Sequence, residues 1–104
     1  MSVLLDLSIF PTDQGQSVSA FVAPVVALIR DSGHPFRLSA MSSIVETATL
    51  AEALELIERA NQFLTELGCG RVYATARFDI RPGALGRLDA KVEAVERRIG
   101  PVAP

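Results

Sequence analysis

From Val3 to Phe10 the chain alternates: Val3, Leu5, Leu7 and Ile9 fall on one side, and Leu4, Asp6, Ser8 and Phe10 on the other. A period of two, with polar residues confined to one side, predicts a strand with one buried face. Pro11 ends it, and Thr12-Asp13-Gln14-Gly15 reads as a polar loop. The period then changes. Val18, Phe21, Val22, Val25, Leu28 and Ile29 recur at helical spacing, with Ser17 or Ser19 placed to cap the helix. Pro24 is expected to kink this helix, and Gly33 to stop it.

Pro35 to Met41 predicts a second strand, with Phe36, Leu38 and Ala40 alternating against Arg37 and Ser39. Ser42-Ser43 turns the chain back into a short third strand, Ser43 to Thr47, forming a hairpin. Thr49-Leu50-Ala51-Glu52 has the form of a capping box and opens a helix to about Leu67, with Leu54, Ile57 and Leu64 on its buried seam. Gly68 is the expected stop. Arg71 to Ile80 is a fourth strand, broken by Pro82-Gly83. Leu88, Val92, Val95 and Ile99 mark a short last helix whose other side carries Lys91, Glu93, Glu96, Arg97 and Arg98. The order βαββαβ, two right-handed βαβ units sharing one hairpin, gives an α+β ferredoxin-like sandwich. One antiparallel sheet carries two helices on one face, and residues 1–104 form a single domain.

Composition narrows the classes of function. Apolar residues make up 49% of the 104 positions and mean hydropathy is +0.32, high for a lone domain of this size. Burial of part of that surface between copies accounts for the excess, so a homo-oligomer is expected. Ten basic against twelve acidic residues leave a net charge of −2, which attracts neither nucleic acid nor an anionic membrane. No apolar run approaches the roughly 18 residues of a membrane span, and the first residues read as strand rather than as a secretory signal. With one cysteine, Cys69, there is no internal disulfide, and a reducing, cytoplasmic setting is expected. His34 is the only histidine, and no cluster has metal-ligand spacing. No phosphate-cradling glycine loop or nucleophile–base arrangement is present, so neither a cofactor nor an enzymatic activity is expected.

Several segments, taken in order, resemble one family. Ser8-Ile9-Phe10-Pro11, a glycine-containing loop and Ser17-Val18-Ser19 resemble the opening of the thiamine-binding protein family, and Ser32-Gly33 fits its approach to the second strand. Met41-Ser42-Ser43-Ile44-Val45-Glu46 is similar to that family's hairpin, Met-Gly-Thr-(apolar)-(apolar)-Glu, with Ser42 at the glycine. Arg71-Val72-Tyr73-Ala74-Thr75-Ala76-Arg77-Phe78-Asp79-Ile80-Arg81 is similar to its last strand. Thr47-Ala48 replaces a glycine-acid pair, and Asn61 stands near where the family carries a histidine. The resemblance implies a ferredoxin-like fold, assembly of sheets into dimers or tetramers, and binding of thiamine or its hydroxymethylpyrimidine portion.

Residue chemistry offers a site beside that resemblance. Asn61 lies three and four residues from Leu64 and Ile57, so it is expected on the seam of the second long helix. Glu46 shares a strand face with Ile44, and that face is expected to turn towards the helices. Both would then line one polar cavity, where an amide matches the donor–acceptor edge of an aminopyrimidine and a carboxylate accepts from its amino group. The bland alternative leaves Glu46 at a strand end in water and Asn61 satisfied by backbone or solvent. Ser43 and Thr47 flank Glu46 in the hairpin, while Ser8, Phe10, Arg77 and Asp79 form a second wall; Arg77 with Asp79 also reads as a plain surface ion pair. The expected function is a small-molecule binder for carriage or buffering, the alternative a ligand-free structural or regulatory homo-oligomeric module.

Overall fold

A computed structural model describes residues 1–16 and 18–102 of the chain. The elements are β1 (Ser2–Pro11), α1 (Ser19–Asp31), β2 (Phe36–Leu38), β3 (Ser43–Thr47), α2 (Leu50–Glu66), β4 (Val72–Arg81) and α3 (Ala90–Ile99). The sheet order is β2-β3-β1-β4 with every neighbouring pair antiparallel. The alternation along β1 holds: Val3, Leu5, Leu7 and Ile9 are buried against α1 and α2.

Local signals explain most boundaries. The Thr49 hydroxyl accepts from the Glu52 N–H at 3.1 Å, opening α2. The helix closes on Gly68, whose φ of +88° suits glycine; the N–H of Gly68 donates to Thr65 O and that of Cys69 to Leu64 O. Helix α1 begins one residue after Val18, which offers no side-chain cap, and runs through Pro24; Ser17 lies outside the described residues.

Three expectations are corrected. The second strand is only Phe36–Leu38, because Ser39 already belongs to the turn: its hydroxyl accepts from the N–H groups of Met41 and Ser42. The seam of α2 is Ala53, Leu56, Ala60 and Leu64, with Ile57 half-buried, while Leu54 is 48% exposed and Asn61 is exposed. Two alanines let the helix lie close to the sheet, and their low hydrophobicity hid the true stripe. Glu46 pairs with Leu4, on the side of β1 opposite its core face, so Glu46 and Ile44 point away from the helices.

Strand β4 is an edge, and from Tyr73 to Arg81 it is exposed on both faces. Helix α3 buries no residue. The radius of gyration, 15.0 Å, exceeds the ~13 Å expected of a compact chain this long.

Candidate binding cavity

Two polar centres occupy opposite ends of the sheet. At the first, Glu46 is 1% exposed and fully engaged. It accepts from the Ser2 hydroxyl, from the Gly86 N–H at 3.0 Å and from the Arg87 N–H at 3.1 Å. Burial pushes its pKa up, but the Ser2 hydroxyl and the N–H groups of Arg87, Gly86 and Leu88 outweigh it and hold the carboxyl below its ordinary range. Arg87 completes the network, donating to the Ser2 hydroxyl, to Ser2 O and to both the main chain and carboxylate of Asp79. Gly86 adopts φ +112°, open to glycine, which lets the loop present its N–H groups to the carboxylate. These bonds pin the segment leading into α3 across the open sheet face. Sequence reasoning missed Ser2, Gly86 and Arg87; the available signal was that a buried carboxylate demands donors, and a glycine-bearing loop supplies them.

The second centre arises because β1 outlasts β3. Pairing between them ends at Leu7–Ser43, whereas β1 continues to Pro11 beside β4. The hairpin turns away over Ser39–Ser42 and leaves a cavity of about 350 Å³ between the end of β1, the hairpin tip and α1. Its walls are mainly apolar, with Val22, Val26 and Met41 among them, and its polar side chains are the hydroxyls of Ser8, Ser39, Ser42 and Ser43. A shallower cleft on the open face adjoins it at Ser8, Met41 and Ser42 and adds Asp6, Thr75 and Arg77.

Arg77 pairs with Asp6 through Oδ2, not with Asp79, because the register sets Arg77 opposite Asp6 and Asp79 opposite Leu4. The Ser42 hydroxyl first, and the Arg77 guanidinium next, hold the Asp6 carboxyl below its ordinary range. Asp6 Oδ1 is nonetheless buried with no donor in hydrogen-bonding geometry among the described residues. Asp79 instead bonds Arg81 and Arg87.

The expected site residues therefore separate. Ser8, Phe10 and Ser43 line the cavity, and Arg77 stands on the adjoining cleft. Glu46 and Asp79 belong to the network at the other end of the sheet. Thr47 is buried on the helix side and donates to Thr49 O. Asn61 faces outward on α2, so Glu46 and Asn61 share no cavity. The Cys69 thiol lies in the core, where burial pushes its pKa up. No cluster of three or more His, Cys, Asp or Glu suited to a metal ion occurs among the described residues, and none of their helices is long and apolar enough to cross a membrane.

A family model described as thiamine-binding protein matches residues 5–96. The chain belongs to the thiamine-binding protein family. It is 35% identical over 97 residues to a UPF0045 protein of Mycobacterium bovis, covering 93% of this chain and 94% of that one. A UPF0045 protein of Methanothermobacter thermautotrophicus is 29% identical over 98 residues, covering 93% and 99%. Among solved structures, a hypothetical protein of Methanocaldococcus jannaschii superimposes with a TM-score of 0.77 at 24% identity, over 90% of this chain and 95% of that one. A Thermotoga maritima protein described as a candidate for thiamine biosynthesis or salvage gives 0.77 at 15% identity, over 91% and 99%. These likenesses establish the ferredoxin-like fold.

Proposed function

We propose that this protein binds thiamine, or its hydroxymethylpyrimidine portion, in the cavity between β1, α1 and the β2–β3 hairpin, as a cytoplasmic carrier or buffer rather than an enzyme. The observation that carries this reading is the cavity itself. At about 350 Å³ it falls in the range of small-ligand sites, with apolar walls and a few convergent hydroxyls. Family membership supplies the ligand class. Calorimetric titration with thiamine and with hydroxymethylpyrimidine tests it. Binding of either is expected, and Val22→Phe, which fills the cavity from α1, is expected to weaken it at least tenfold while the fold persists. No heat and no thermal shift with either ligand at millimolar concentration rejects the reading.

Self-association is part of the same proposal. Tyr73, Phe78 and Ile80 are 53%, 38% and 47% exposed along the β4 edge, and Val92 and Ile99 are exposed on α3. Long uncovered edge strands invite pairing, and a second copy about a two-fold axis would cover this surface. Light scattering after size exclusion is expected to give at least a dimer mass at micromolar concentration; a monomer mass contradicts it. The same exposed surface favours the second reading, a structural module that assembles without a ligand, and the titration above separates the two.

A further inference from the structure

The ladder dictates which main-chain groups of β1 reach the cavity. Thr12 N–H donates to Arg71 O at 3.0 Å, in register with the β1–β4 pairing. In an antiparallel ladder alternate residues bond to opposite neighbours, so the even-numbered residues of β1 bond to β4 and the odd-numbered ones face β3. The other side agrees: Glu46 N–H donates to Pro35 O, which assigns even-numbered β3 residues to β2 and odd-numbered ones to β1. Val3, Leu5 and Leu7 therefore meet Thr47, Val45 and Ser43. Ile9 is the next odd residue, and β3 has ended. Its N–H and C=O have no hydrogen-bond partner on that side among the described residues. Pro11, the following odd residue, carries no N–H, so Ile9 holds the last free donor on this edge.

We propose that the Ile9 N–H and C=O are the recognition pair of the cavity, reading a planar ligand edge with a hydrogen-bond acceptor beside a donor. This rests on the reading of the cavity as the ligand site. An aminopyrimidine presents such an edge, its ring nitrogen accepting from Ile9 N–H and its amino group donating to Ile9 C=O. A cyclic cis-amide presents the same edge. The ligand takes the place of the missing β3 residue, so that a small molecule completes the ladder as an added strand would. The pair is preorganised, because the Ile9 side chain is buried in the core on one side and the strand is held by β4 along its length. A main-chain pair with no protein partner must be satisfied by water or by a ligand, and a ligand that bonds both groups replaces that water. The arrangement also explains how a cavity whose own side chains offer only hydroxyls distinguishes a heterocycle from an equally apolar hydrocarbon.

The test is amide-resolved NMR of the full chain with three probes: hydroxymethylpyrimidine, 2-pyridone and N-methyl-2-pyridone, the last lacking the donor. Hydroxymethylpyrimidine and 2-pyridone are expected to move the Ile9 amide proton downfield, and N-methyl-2-pyridone to bind at least tenfold more weakly than 2-pyridone. Replacing residue 9 by the corresponding α-hydroxy acid removes the N–H. It is expected to weaken 2-pyridone binding at least tenfold and to leave the sheet folded, while the remaining Ile9 C=O still prefers 2-pyridone to N-methyl-2-pyridone. If hydroxymethylpyrimidine binds calorimetrically while Ile9 stays silent to every probe, the recognition pair is wrong and the cavity reading survives. If 2-pyridone moves Ile9 but neither thiamine nor hydroxymethylpyrimidine binds, the recognition pair stands and the vitamin reading falls. An Ile9 amide unmoved by saturating 2-pyridone overturns the proposal.

Discussion

The two ends of β1 are built on opposite principles. Around Ser2 the polar groups are engaged: the hydroxyl bonds Glu46 and Arg87, the carboxylate also takes the N–H groups of the loop before α3, and Arg87 reaches four acceptors. Around Ile9 the partners run out, leaving hydroxyls, a strand edge and an apolar hollow. Ranked by charge and burial alone, Glu46 would be the functional residue of this protein. Its satisfaction argues the reverse. A buried polar group with every bond made is a fastener, whereas one whose partners the fold withholds is available to a ligand.

The largest expected effect tests the fastener. Glu46→Ala strands the Gly86 and Arg87 N–H groups and frees Arg87, and is expected to cost about 2–4 kcal/mol in denaturant unfolding. Glu46→Gln keeps the shape and is expected to cost about 1–3 kcal/mol. The pH dependence carries the same information. Because the folded carboxyl titrates below its ordinary 4.5, its contribution is complete above the unfolded value and disappears as pH falls through the folded one. Thermal scans between pH 3 and 6 are expected to show the parent losing this stability and Glu46→Gln losing less, the remainder coming from Asp6, whose carboxyl is also held low. Equal acid limbs in the two proteins would remove Glu46 from the fastener and reopen its role in a site. Ligand affinity at pH 7 is expected to be unchanged in Glu46→Gln, since the cavity lies at the other end of the sheet.

The contrast also explains what the sequence revealed. Periodicity of two identified β1, the turn of the hairpin identified β3, and caps and stops identified α2, because these are local signals written in neighbouring residues. Ser8, Phe10 and Ser43 were among the expected site residues and line this cavity, but the cavity was expected elsewhere, around Glu46 and Asn61. Glu46 was set on the wrong face because a strand's own alternation separates two faces without naming the buried one; its partner Leu4 decides that. Arg77 was matched to Asp79, two residues away, when its partner Asp6 lies on the neighbouring strand. The free main-chain pair of Ile9 is invisible in residue chemistry, since every residue but proline has such a pair, and only the differing lengths of β1 and β3 expose it.

The smallest expected effect bears on Asn61. On the expected seam of Leu54, Ile57 and Leu64 this amide would have been a buried two-bond partner for a ligand, and its loss would have cost about 1–3 kcal/mol of binding. In the fold the buried stripe passes through Ala60 instead, and Asn61 points outward with its carbonyl accepting from the Thr65 hydroxyl. That bond uses the main chain, so Asn61→Leu leaves it intact. Leucine is also the better helix former, by a few tenths of a kcal/mol. Stability is therefore expected to stay within about 0.5 kcal/mol of the parent, and affinity for thiamine or hydroxymethylpyrimidine to be indistinguishable. Calorimetry and thermal scans on the one variant settle both. A tenfold loss of affinity with the fold intact would return the site to α2 and make the strand-edge cavity the bystander.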